Sequence, residues 1–102
     1  MTTYDVYGVK LSTLEAAREA IELALGIKFV AHESMFLGGD YYRLGDVGEE
    51  CFILQQNYNE FEGEWTDSAY KEYAYLLYVN ETERAHELEK LLMSVACLLR
   101  RA

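Results

Sequence analysis

Tyr and Val crowd the stretch from Tyr4 to Leu11, with Tyr4, Val6 and Gly8 on one face and Asp5, Tyr7, Val9 and Leu11 on the other, so an opening strand is expected. Ser12, followed three residues later by Glu15, forms the reciprocal capping pair that satisfies orphan amides at a helix start. Leu14, Ala17, Ile21, Ala24 and Leu25 then recur at helical spacing against Glu15, Arg18, Glu19 and Glu22, and Gly26 can take the left-handed stop. The spacing predicts a helix over Leu14 to Leu25.

Ile27, Phe29 and Ala31 alternate with Lys28, Val30 and His32, which predicts a strand after the helix and a right-handed crossover. Gly38 and Gly39 break the chain before a short strand containing Tyr41, Tyr42 and Leu44; Gly45 to Glu50 turns it, and Cys51 to Tyr58 returns as the second arm of a hairpin. Asn59 to Glu72 is polar and reads as a long irregular loop. Tyr73 to Asn80 is almost continuously apolar, the mark of an interior strand. Asn80 and Glu83 form a second capping pair, and Ala85, Leu88, Leu91, Leu92, Val95 and Leu99 predict a final helix ending beside Arg100 and Arg101, cations that suit its C-terminus. Two amphipathic helices need one sheet face to bury them. The expected architecture is α+β, a two-layer sandwich with a mixed sheet of four to five strands and both helices on one face, a ferredoxin-like variant.

Composition narrows the class. A chain of 102 residues, 51% apolar and 26% charged, is one folded domain. Eighteen acids against nine bases leave a net charge of -9, which speaks against nucleic-acid binding. Cys51 and Cys97 are too few for a disulfide framework and are expected reduced and buried. No basic start leads into an apolar run and no stretch approaches the roughly 18 apolar residues of a span, so the expected location is cytoplasmic, without a membrane partner.

The charge is unevenly placed. Asp46, Glu49, Glu50, Glu60, Glu62, Glu64, Asp67 and Glu72 face the single base Lys71 within one segment, eight acids against one base, a net -7. Such crowding costs stability unless something cationic meets it. Tyr58, Phe61, Trp65 and Tyr70 are interleaved with these acids. Aromatic anchors among carboxylates suit a face that binds a basic protein. The competing reading makes Phe61 and Trp65 core residues and the acids a solvated loop that keeps the protein soluble.

Chemistry finds little support. His32-Glu33-Ser34-Met35-Phe36 begins like a zinc-protease motif but has Phe36 where the second histidine must stand. Neither cysteine has a ligand-spaced partner, His86 sits among glutamates on a helix face, and Glu60, Glu62 and Glu64 lack the calcium-loop pattern. Gly38-Gly39-Asp40 lacks the spacing of a phosphate loop, and nothing places Ser34 or Cys51 with a histidine base. The chain reads as non-catalytic, with no cofactor and no metal.

In length, in its compact α+β order and in the acidic, aromatic-rich segment, the chain resembles the small acidic immunity proteins that bacteria encode beside contact-dependent inhibition and other polymorphic toxins. The tract from His32 to Arg43 also looks like a motif of small bacterial proteins. The resemblance implies a stoichiometric inhibitor that occludes the basic cleft of a cognate toxin, such as a nuclease. Under it, Glu60, Glu62, Glu64 and Asp67 make the electrostatic contacts and Phe61, Trp65 and Tyr70 the anchors. Asp46, Glu49 and Glu50 join from a neighbouring hairpin turn, with Asp40, Tyr41 and Tyr42 of second rank. Two other classes stay open: a small-molecule or enzymatic domain with a pocket of His32, Tyr41, Tyr42 and Trp65, and a housekeeping homo-oligomer. The expected state is a monomer or weak homodimer.

Overall fold

The computed structural model describes residues 2–37 and 39–102, so the expected break at Gly38 lies outside the described residues. The elements run β1 (Thr3–Val9), α1 (Leu14–Leu25), β2 (Val30–Ser34), a 3₁₀ turn (Met35–Leu37), β3 (Gly39–Leu44), β4 (Cys51–Gln56), β5 (Tyr58–Asn59), β6 (Glu64–Trp65), a second 3₁₀ turn (Ser68–Tyr70), β7 (Tyr75–Thr82), α2 (Ala85–Leu92) and β8 (Cys97–Arg101). The main sheet has six strands in the order β2-β3-β4-β7-β1-β8, and β5 and β6 form a separate ribbon. Every pairing is antiparallel, which corrects the expected mixed sheet of four to five strands. The helix after β1 carries the chain across three intervening strands to the far edge.

α1 forms where its apolar spacing places it, with Thr13 rather than Ser12 as its cap: the Thr13 hydroxyl accepts from the Ala16 N–H at 3.0 Å. Gly26 ends the helix in the left-handed region at φ 68°. Leu14, Ala17 and Ile21 of α1 and Leu88 and Leu92 of α2 pack on Tyr7, Val9, Phe52, Leu54, Leu77 and Val79. The registers Tyr7↔Leu77↔Leu54 and Val79↔Phe52 put those strand residues on one face, so both helices share it as expected.

The C-terminal helix is shorter than the apolar stripe predicts. α2 stops at Leu92, and Val95 and Leu99 belong to the connection and to β8. The reason is the edge of β1, which β8 pairs, on the side the helices cover. There Asp5 has a fully buried carboxylate, and Arg101 meets it with two bonds of 2.9 Å while also reaching Glu89 at 2.9 Å. Arg101 therefore pairs a buried acid from an edge strand instead of a helix dipole. Asn80 lies within β7, not in a capping box; Arg84 stands at the start of α2, and its N–H is taken by the Thr82 hydroxyl at 3.2 Å.

The segment from Asn57 to Ala74 is more ordered than a loop, because it is a cover. Leu76 is 0% exposed, Gln55 4% and Val6 5%, yet all three point away from the helices. Tyr73 packs its ring over Gly8, the Tyr70 hydroxyl donates to the Leu99 carbonyl at 3.4 Å, and Asp67 meets Arg100 at 3.2 Å. β7 is thus buried on both faces, which accounts for its unbroken apolar run. Among the described residues no helix is long and apolar enough to cross a membrane.

A Cβ at Gly8 would clash with the Tyr73 ring. Gly8→Ala should therefore cost about 1–3 kcal/mol in urea unfolding, and most of that cost should vanish in a Tyr73→Ala background. Burial, reinforced by the Asp5 charge and opposed by Arg101, pushes the Tyr7 phenol up to about 12. The folded state holds that proton more tightly than the unfolded chain, so this contribution is complete below pH 10 and lost as pH rises through 12. Tyr7→Phe should move the alkaline unfolding midpoint upward in a circular-dichroism pH titration.

Candidate protein-binding surface

Two buried asparagines build the cover and what it displays. Asn57, 0% exposed, ends the β4 extension, where its amide nitrogen reaches the carbonyls of Tyr70 at 2.9 Å and Tyr73 at 3.1 Å. Its carbonyl oxygen accepts the Asp67 N–H at 2.9 Å. Asn59, 4% exposed, accepts from the N–H groups of Phe61 and Glu62 at 2.9 and 3.2 Å, so the ribbon turn closes on its side chain. Its amide donates outward to the Met35 carbonyl at 2.9 Å. The tip of the β5–β6 ribbon is thereby tied to the 3₁₀ turn that follows β2.

That tie brings two turns with exposed apolar side chains to the same end of the sheet. Met35 is 65% exposed, Phe36 84% and Phe61 62%, and the Phe61 ring lies 3.4 Å from where a Cβ of Gly39 would stand. Val30 of β2 and Tyr58 of the ribbon are exposed too, while exposed Leu23, Val47, Leu91 and Met93 belong to other parts of the fold. Glu60, Glu62 and Glu64 are exposed around the ribbon, and Glu33 lies directly opposite Asp40 across β2 and β3 at the same end of the sheet. None of these five acids is in an ion pair among the described residues. Two like charges facing each other across a strand pair repel, and among the described residues no ion pair relieves Glu33 or Asp40.

The structure divides the acids that the sequence groups together. Asp46, Glu49 and Glu50 lie at the start of β4 and the ribbon beyond its end, about 17–20 Å away along the strand, so the hairpin turn is not a neighbour of the acidic ribbon. Glu50 is occupied besides: it accepts from Thr82 at 2.7 Å and from Arg84 at 2.8 Å, and the bonds from Arg84 hold its carboxyl below the usual range. Asp67 is half-buried, capping Ala69 and paired with Arg100, and Tyr70 is half-buried in the cover. Trp65 is half-buried too, edge-on to Tyr58 at 5.1 Å with the Lys71 ammonium 5.9 Å from its ring. Of the expected anchors, Phe61 alone is widely exposed.

The residues proposed for a pocket do not converge. His32 is exposed and stacked on Tyr41 at 5.2 Å, Tyr42 packs into the helix-side core beneath Arg18, and Trp65 belongs to the ribbon. The cavity that includes His32, about 240 Å³, is lined by Val30, Arg43, Leu44, Gly45 and Asp46 instead. Cys51 is buried as expected, but Cys97 is exposed, because it stands on an edge strand rather than a helix. Among the described residues no three His, Cys, Asp or Glu side chains group as metal ligands.

Met35 and Phe36 escaped the sequence reading, where they registered only as the failed end of a zinc motif. Two adjacent large apolar residues just before a glycine break were the available signal. Asn57 and Asn59 escaped as well, although an Asn-x-Asn step from a strand into a polar tract is what side-chain-closed turns use.

Replacing Asn57 by Ala should cost about 2 kcal/mol in urea unfolding, since it strands buried backbone groups. Asn59→Ala should leave the six-stranded sheet intact while speeding amide exchange at Phe61 and Glu62, as followed by NMR. In comparisons with protein families, curated proteins and solved structures, none matches this chain.

Proposed function

We propose that this protein is a non-catalytic binding module that captures a basic protein through the ribbon end of its sheet, acting as the immunity partner of a cognate toxin. The observation that carries the reading is that Met35, Phe36 and Phe61 stand exposed at one end of the sheet with Glu60 and Glu62 on the ribbon beside them, while Glu33 and Asp40 occupy the helix-side face of that same end, all four acids in no ion pair among the described residues. Large apolar side chains held in water near charge of one sign have the composition of an interface. The carboxylates steer a cationic surface and the rings supply dry contact area. A nuclease cleft, built to hold phosphates, presents such a surface, and an acidic module seated in it blocks the substrate.

The site is narrower than the full acidic segment. It comprises Glu60, Phe61, Glu62 and Glu64 of the ribbon with Met35, Phe36, Glu33 and Asp40; Trp65 and Tyr58 pair across the ribbon strands, and Asp46, Glu49 and Glu50 fall outside it. We also read β1, α1, β4, β7, α2 and β8 as a ferredoxin-like core into which hairpin β2–β3 is inserted. The insertion widens the sheet toward the ribbon and brings Met35 and Phe36 beside Phe61.

Co-expression with the product of the reading frame adjacent to its gene tests the proposal: the two should co-purify, and the toxicity of that product should be suppressed. Reversing Glu60 and Glu62 together to Lys should slow association about tenfold at low salt and flatten its salt dependence. Phe61→Ser should speed dissociation with little effect on the association rate. Unchanged rates in both variants would remove this surface from the reading.

A further inference from the structure

The main sheet ends on two edges, and they differ. β8 breaks register with β1 between Val6 and Tyr7 and carries Arg100 and Arg101, the bulge and cations with which edges resist added strands. β2 has no such guard. It pairs with β3 in unbroken register over five residues, Val30↔Arg43 to Ser34↔Gly39, and contains neither proline, lysine nor bulge. Val30, Ala31, His32 and Glu33 are all exposed, and among the described residues β3 is the sole strand hydrogen-bonded to β2. In an antiparallel ladder alternate residues turn their N–H and C=O groups outward, so β2 offers these to whatever lies beside it.

We infer that β2 accepts an extended basic segment of the protein partner as a seventh strand, with a Lys or Arg of that segment set opposite Glu33. Strands in a ladder lie about 4.8 Å apart, so a cation there stands next to Glu33 and one strand further from Asp40, relieving a like-charge pair that is in no ion pair among the described residues. β2 runs directly into Met35 and Phe36, so the added strand is continuous with the apolar cluster. A second copy of this chain fits less well, since it would bring another body of charge -9 and another Glu33–Asp40 pair to the same edge. The inference rests on the proposed function for the sign of the partner's charge, and on the open edge for the mode of binding.

The probe is a soluble heptapeptide of alternating Lys and Val, with a Glu/Val peptide and a Lys/Val peptide N-methylated at alternate amides as controls. With the ¹⁵N-labelled protein, the Lys/Val peptide should slow amide exchange within residues 30–34, whereas neither control should. Glu33→Lys, an exposed substitution checked for folding by circular dichroism, should weaken binding about fivefold. Absence of protection on β2, or equal protection by the Glu/Val peptide, overturns the inference. So does a concentration-dependent dimer in sedimentation that is abolished by Val30→Lys, which would make a second copy the occupant. If the peptide protects β2 and Phe61→Ser leaves capture of the toxin unchanged, strand addition stands and the ribbon surface fails. If Phe61→Ser impairs capture and β2 is never protected, the surface stands and strand addition fails.

Discussion

The side chain of Asn57 decides what the second half of the molecule becomes. A six-stranded sheet with helices on one side leaves Val6, Gln55 and Leu76 facing water on the other. Asn57 binds the backbone at Tyr70, Tyr73 and Asp67, which turns the polar stretch after β4 back across that face. The bonds are satisfied inside the fold, where an unpaired amide would be costly, so this geometry excludes a swinging loop. Everything further out inherits its position from that turn: the ribbon, its asparagine-closed tip, and the apolar cluster the tip shares with Met35 and Phe36.

Electrostatically the molecule has two acidic poles of different character. At the β4 start, Glu50 is locked to Arg84 and Thr82, Glu49 accepts from the Asp46 N–H, and Glu81 accepts from the Gly48 N–H. Those acids hold a turn together. At the ribbon pole Glu33, Asp40, Glu60, Glu62 and Glu64 are in no ion pair among the described residues, and exposed Phe36 and Phe61 stand at the same end of the sheet. Charge that does structural work is quiet toward a partner, while charge left over dominates the outward field. The distinction matters more than the net charge.

Local signals were the legible part of the chain. The α1 stripe with its glycine stop, the turn at Gly45 to Glu50 and the doubly buried β7 could be read because each depends on residues close in sequence. The end of α2 could not, since Val95 and Leu99 continue a helical stripe, while the ladder with distant β1 and the pairing of Arg101 with Asp5 hold the chain as a strand. The acidic segment looked like one patch because its members are near in sequence, but an extended strand between them moves neighbours apart faster than any other structure. Met35, Phe36 and Phe61 show the converse: residues remote in sequence were joined by one side-chain amide of Asn59.

The placement of β1 carries a consequence for how the chain is made. Tyr7 lies between Leu77 and Leu98, so the strand that emerges early from a ribosome must wait for two late ones. Until they arrive, Tyr7 and Val9 have only α1 to shelter them, and the nascent chain presents an unpaired apolar strand to its surroundings. Closure of the sheet is therefore a late event with a long loop to gather, and it places this small domain among slow folders that gain from protection during synthesis.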